Sequence, residues 1–205
     1  MRTLISVAAG LALALTLSAC QKSSTALSAD DMTLGDAKAP VTVIEYASVS
    51  CPHCAQWNAD VFPGFKAKYV DTGKVYYVAR EALTSDPNIA AAGFLTARCA
   101  GKDKYFQVTE AVYRAQPQMF TGSPHDILLN IARSVGLTDA QFQACISNET
   151  AQNALNARWE HYMRDDHINS TPTFIINGKR YEGELPAPQM DQAIADAAKR
   201  GTSGS

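Results

Sequence analysis

Cys51 and Cys54 stand two residues apart around Pro52 and His53 in the stretch SVSCPHCAQW. Thiols at this spacing can form an inert staple, supply half of a metal site, or exchange electrons with other thiols. Zinc ribbons join such a pair to a second one or to histidines at ligand spacing. Neither is in this chain, where His125, His161 and His167 have no partner at i, i+4. Metal capture by Cys51, His53 and Cys54 is left as the rival use of the motif.

Redox exchange needs a thiolate, and the position of Cys51 favours one. It falls where a strand pattern gives way to a helix pattern, so the unpaired N–H groups and positive end of the helix stabilise negative charge on the sulfur. His53, just inside the helix, can add a hydrogen bond or a positive charge. Cys54 comes one turn later on the inward side, so Cys51 is expected to attack and Cys54 to resolve. Glu45 lies six residues before Cys51 inside an apolar strand, where a bare carboxylate is costly. It should be protonated or hydrogen-bonded and able to pass protons to or from Cys54; on the wet side of an edge strand it would have no such role. Thr171-Pro172, after extended Asn169 and Ser170, suits a cis-proline turn that sets backbone beside the cysteines.

These residues need a scaffold. VTVIEYASV, residues 41–49, is β-branched and aromatic and predicts a buried strand, with DMTL before it as an edge strand. Cys54, Trp57, Val61, Phe65 and Tyr69 then recur every three or four residues, which predicts one helix ending near Asp71-Thr72-Gly73. Pro52 sits in its first turn, and Pro63 should kink it by removing the bond to the Ala59 carbonyl. Residues 74–83 predict a second strand, giving a parallel β-α-β unit. From 87 to 167 only helical periodicity and caps occur. Helices are expected over 88–100, 103–116, 125–135, 139–147 and 150–166, with Thr138 and Gln141 as a capping box. In TPTFIINGKRYEG a strand runs into the hairpin signal Asn177-Gly178, and Pro188 to Arg200 predicts a closing helix. This order predicts an α/β thioredoxin-like fold, with its core in residues 31–86 and 168–199, an inserted helical domain at 87–167, and a frayed tail at 200–205.

The chain has 205 residues, 46% of them hydrophobic, enough to bury a core in one domain carrying an insertion. Its 18 basic and 20 acidic residues leave a net charge of −2 and no footprint for nucleic acid. Arg2 and the apolar run LISVAAGLALALTLSA have the layout of an export signal over residues 1–19. The run ends in Leu17-Ser18-Ala19-Cys20, which resembles a lipobox and would leave Cys20 as a lipidated first residue, followed by a tether over 20–30. Simple secretory cleavage is the alternative, and Leu17 at position −3 speaks against it. Either way the domain is expected to work outside the cytoplasm, anchored to a bacterial membrane if lipidated. With Cys20 set aside, four cysteines allow three pairings. In an oxidising compartment a Cys51–Cys54 pair leaves Cys99 to join Cys145, as a structural staple or as a second redox pair.

The strand VTVIEY, CPHC at a helix start, the helical block and TPTFIING with its hairpin together resemble the DsbA family of bacterial extracytoplasmic thiol-disulfide oxidoreductases, across nearly all of residues 31–199. The resemblance implies a mixed disulfide at Cys51, a ring closed or opened by Cys54, a cis-proline at Pro172 and a buried acid at Glu45. With Pro52 and His53 between the cysteines it implies an oxidant. It implies no organic cofactor, reduced or unfolded exported proteins as substrates, and a quinone-linked membrane protein of the DsbB kind as reoxidant. Thr171 departs from the valine of the best-known members. A threonine there also occurs in reductases and isomerases, and its hydroxyl can bond near the cysteine sulfur, so potential and substrate choice stay open. Such isomerases usually dimerise through an added N-terminal domain, for which residues 21–35 are too short, and a monomer is expected.

Overall fold

The computed structural model describes residues 26–202. The expected export signal at 1–19, lipidation at Cys20 and the end of the expected tail lie outside the described residues.

A strand of β-branched and aromatic residues buried on both faces belongs at the middle of a sheet. Val41–Ala47, here β2, is buried at every position but Thr42. Five strands run in the order β1-β3-β2-β4-β5, with β1 at Met32–Leu34, β3 at Val75–Glu81, β4 at Thr173–Ile176 and β5 at Lys179–Glu182. β3 runs parallel to β2, β4 antiparallel to it, and β1 and β5 close the edges antiparallel to their neighbours. Asn177 and Gly178 turn the last hairpin with φ of 43° and 82°, the paired positive values of a type I′ turn.

The single kinked helix expected after Cys51 is three pieces. α1 spans Pro52–Asp60, the chain breaks at Val61, α2 spans Phe62–Phe65, and Lys66–Val70 form a π-helical turn. Pro63 has no N–H to return to the Ala59 carbonyl, which accounts for the break. The extra residue of the π turn went unseen because the apolar spacing continues across it. Trp57, Phe65, Tyr69 and Val70 pack with Val43, Tyr77, Phe174 and the inner face of α8. That helix, Ala187–Thr202, runs two residues beyond Arg200 into the expected tail.

Five helices lie between β3 and β4: α3 Pro87–Cys99, α4 Lys102–Met119, α5 Pro124–Ser134, α6 Asp139–Ile146 and α7 Glu149–Arg164. Asp86, Ser123, Thr138 and Asn148 cap α3, α5, α6 and α7 with side-chain oxygens, Thr138 in a full capping box with Gln141. α4 continues three residues past its expected end, through Pro117, which stands in its last turn. The inward faces of these helices make a core of their own around Leu95, Tyr105, Val112, Leu128, Phe142 and Leu155. A disulfide joins Cys99 at the end of α3 to Cys145 near the end of α6. The block is fastened to the sheet at Glu81, buried at the end of β3, which accepts from Arg98 at 2.6 Å, Arg158 at 2.7 Å and Tyr105 at 3.2 Å.

The tether expected over 20–30 is fixed from Ala26 onward. The carbonyls of Ala26, Ala29 and Asp30 accept from Arg80, Lys102 and Arg98. No helix among the described residues is long and apolar enough to cross a membrane.

Candidate active site

Cys51 is the N-cap of α1, with φ −85° and ψ 121°, and Pro52 opens the helix where a missing N–H costs nothing. The loop before it is held from two sides. Ser48 and Ser50 donate their hydroxyls to the Thr84 carbonyl at 3.1 and 2.7 Å, and Gln116 of α4 donates its amide to the carbonyls of Val49 at 2.7 Å and Cys51 at 3.1 Å. The first cysteine is thus positioned jointly by the sheet and the inserted helices.

Both cysteines carry free thiols, with Cys51 4% and Cys54 0% exposed. Their environments drive their acidities apart. The Cys51 thiol is brought down to about 5, first by the hydrogen bond from the Cys54 thiol and then, against the opposing effect of burial, by the Thr171 hydroxyl and the backbone N–H groups of Cys54 and His53. Burial pushes the Cys54 thiol well up, and the charge of Cys51 adds to the shift. One sulfur is a ready thiolate at neutral pH and the other is a reluctant one.

Glu45 points from β2 into the packed side of the sheet and accepts a hydrogen bond from the Tyr77 hydroxyl of β3. Burial raises its carboxyl to about 8, with the Tyr77 bond opposing and the Cys51 charge adding to the rise. Glu45 and Tyr77 line a cavity of about 30 Å³ with Asn58, Thr109 and Tyr113, space enough for a water molecule. The carboxyl therefore holds a proton near neutral pH, close enough to Cys54 for its charge, when ionised, to raise that thiol further.

His53 stands at the surface beside Glu184. Its side chain is 74% exposed, and its Nδ1 lies 2.6 Å from Glu184 in the link between β5 and α8. That bond raises its pKa first, and the Glu184 and Cys51 charges raise it further. The hydrogen bond by which His53 reaches the sulfur comes from its backbone N–H, while the imidazole contributes charge. The Thr171-Pro172 peptide is cis, and the Thr171 carbonyl lies 3.4 Å from Cys51 Sγ, where it accepts from the thiol. The structure thus gathers Glu45, Cys51, Pro52, His53, Cys54, Thr171 and Pro172 at one end of the sheet, and keeps Cys99 and Cys145 in the helical block.

Sequence reasoning missed Tyr77, Thr84, Gln116 and Glu184. Tyr77 had a signal: with β2 and β3 parallel and in register, Val43 pairs with Tyr77 and Glu45 with Ala79, so tyrosine and acid share a face. The other three arrive from distant segments with no local signature. Among the described residues no group of three or more His, Cys, Asp or Glu is arranged to hold a metal ion. His125 bonds Asp126 and Gln143, and His161 bonds Asp165.

The geometry is that of a nucleophilic sulfur able to leave as a stable anion, a second sulfur within bonding reach that does not, and a buried acid beside them. A family model described as Thioredoxin matches residues 27–196. A Rickettsia typhi protein described as a candidate protein-disulfide oxidoreductase is 29% identical over 83% of this chain and 64% of its own length, so the chain spans less than two thirds of that relative. The crystal structure of Wolbachia pipientis alpha-DsbA1 superposes with a TM-score of 0.81 at 25% identity, covering 88% of this chain and 98% of that one. Oxidised BdbD from Bacillus subtilis shares the fold with a TM-score of 0.74 at 21% identity, over 82% of this chain and 93% of its own. The chain belongs to the thioredoxin family, in the DsbA-like form that carries a helical insertion between β3 and β4.

Proposed function

We propose that this DsbA-like thiol-disulfide oxidoreductase is an extracytoplasmic oxidase that introduces disulfides into exported proteins. The carrying observation is the split between the two sulfurs, with Cys51 lowered and Cys54 raised. In the oxidised enzyme a substrate thiolate attacks Cys51 Sγ and the Cys51–Cys54 bond breaks. Cys54 leaves with the electron pair and takes a proton from Glu45 or water, and a mixed disulfide through Cys51 results. The substrate's second thiolate then attacks its own sulfur in that mixed disulfide, and Cys51 departs as the stabilised thiolate. Two electrons have passed from substrate to enzyme. Stabilising the leaving thiolate favours the reduced enzyme and so makes its disulfide the stronger oxidant.

The remaining parts of the reading rest on the sequence and on the DsbA likeness. Cys20 carries a lipid that holds the enzyme at a bacterial membrane, a quinone-linked membrane protein of the DsbB kind takes up the electrons, and the enzyme acts as a monomer. The Cys99–Cys145 bond serves as a staple. The test is the equilibrium reduction potential of Cys51/Cys54 against a glutathione series, with both thiols trapped and identified by mass. A value above roughly −180 mV supports the oxidase, and one near thioredoxin's, about −270 mV, overturns it in favour of a reductase.

A further inference from the structure

The cavity beside Glu45 has three tyrosines in its wall, and two of them have committed their hydroxyls: Tyr77 donates to Glu45 Oε2, and Tyr105 to Glu81 at 3.2 Å. Thr109 donates to the Phe106 carbonyl, and the Arg80 guanidinium is bound to Asp31, Asp166 and Tyr46. Three polar groups of the wall make no hydrogen bond to another described residue. They are Glu45 Oε1, the Asn58 side-chain amide and the Tyr113 hydroxyl. Uncommitted groups around a space of about 30 Å³ suit one water molecule, which takes about two to four polar partners. Ala47 and Tyr113 line this cavity and also pack with Cys51 and Cys54. Of the two, Tyr113 carries the polar group.

We propose that Tyr113 is a positioning residue: its hydroxyl holds a water between Glu45 and Cys54, and the proton that Cys54 needs on leaving travels through that water. When the Cys51–Cys54 bond breaks, Cys54 keeps the electron pair. The water gives it a proton and takes the Glu45 proton in turn, which leaves Glu45 a carboxylate. Glu45 recovers its proton from solvent. Asn58, Phe62 and Phe106 of the cavity wall are only half-buried, so the surface is one side chain away. When the disulfide re-forms, the same steps run backwards. Tyr113 stands on α4, so the inserted helices take part in the proton's passage as well as holding the loop before Cys51. The inference rests on the reading of Cys51 and Cys54 as the exchanging pair, and not on the direction of exchange.

The test is the rate at which dithiothreitol reduces the oxidised protein, followed by acid quench, alkylation and mass across neutral pH and compared per dithiothreitol thiolate. Tyr113→Phe keeps the ring and removes the hydroxyl. At neutral pH it should slow reduction about three- to tenfold, a fraction of the ~100- to 10,000-fold that a placed proton donor contributes. Well above pH of about 8, where Glu45 is a carboxylate with no proton to give, parent and variant should converge. In a Glu45→Gln background Tyr113→Phe should add no further loss, because the water has no acid to draw on. An unchanged rate in Tyr113→Phe, a loss that persists in alkali, or an equal loss in both backgrounds overturns the proposal. Ala79 pairs with Glu45 and lines the same cavity. Ala79→Val fills that space with both tyrosines in place and should give the same loss, and a parent rate there would mean that no water carries the proton. A reducing potential would sink the oxidase reading while leaving this coupling in place, and a rate indifferent to Tyr113 would do the reverse.

Discussion

Cys51 and Glu45 carry opposite pH signatures in the reduced protein. The Cys51 thiol titrates at about 5 in the folded chain against an ordinary 9.0. Between those values the unfolded chain holds a proton that the folded chain lacks, so stability rises with pH, by on the order of 3 kcal/mol at pH 7. Glu45 runs the other way, at about 8 against 4.5. Across that window the folded chain holds the extra proton, so stability falls as pH rises. Glu45→Gln removes only the falling contribution. Denaturant titrations of the reduced variant should therefore show stability climbing from pH 5 to 8 where the parent is nearly flat, and parallel profiles would mean that Glu45 is not the titrating acid. Glu184→Gln makes a second test, since the contact with Glu184 is the foremost cause of the raised His53 pKa. The imidazole titration followed by NMR should move down towards its ordinary value, and an unmoved midpoint would remove Glu184 from the site. Cys51, Cys54, Glu45 and Pro172 were legible in the sequence because each breaks a local pattern. Glu184 and Thr84 were not, because an exposed glutamate and a loop threonine break none.

At the scale of elements, the caps and periodicities placed the inserted helices to within a few residues, because those signals are local. What they could not show is how tightly α3 lies on the loop before Cys51. A Cβ built on Gly93, in the middle of α3, would come 2.8 Å from Val49 Cγ2 and 3.4 Å from Val112 Cγ1. Alanine is the better helix former by about 1 kcal/mol, so on propensity alone Gly93→Ala should stabilise. The contact decides otherwise. Val49 is fully buried and β-branched, and Gln116 holds its carbonyl, so the valine has few ways to retreat. Overpacking of this kind costs about 1–3 kcal/mol, which outweighs the gain. Gly93→Ala should lower the denaturation midpoint, and a more stable variant would show that the loop before Cys51 yields freely.

The order of elements gave the topology of the whole molecule, since β-α-β followed by helices and a hairpin leaves few arrangements open. Of the bonds that hold its parts together, elimination among the cysteines pairs Cys99 with Cys145, as the structure has it, whereas the buried ions join residues too far apart for any pattern to pair. The Cys99–Cys145 bond closes a separation of 46 residues. Replacing both by alanine should cost about 2–4 kcal/mol in chemical denaturation, and a loss well below 1 kcal/mol would deny it the part of a staple. Arg80 is the deeper tie. Its guanidinium reaches Asp31 at 3.1 Å, Asp166 at 3.1 Å and the Tyr46 hydroxyl at 2.7 Å, and lies over the rings of Tyr46 and Tyr162. It thereby joins the segment before β1, the central strand, and the stretch by which the insertion returns to the sheet. The side chains of Arg80, Asp31 and Asp166 are nearly inaccessible to solvent. Such an ion cluster adds little net stability over a well-packed apolar one, but losing one member strands the rest. Arg80→Met leaves two buried carboxylates without their cation, at a cost of about 3–5 kcal/mol. Chemical denaturation of the variant checks this, and a loss well below 1 kcal/mol would mean that water reaches the cluster and screens the stranded carboxylates.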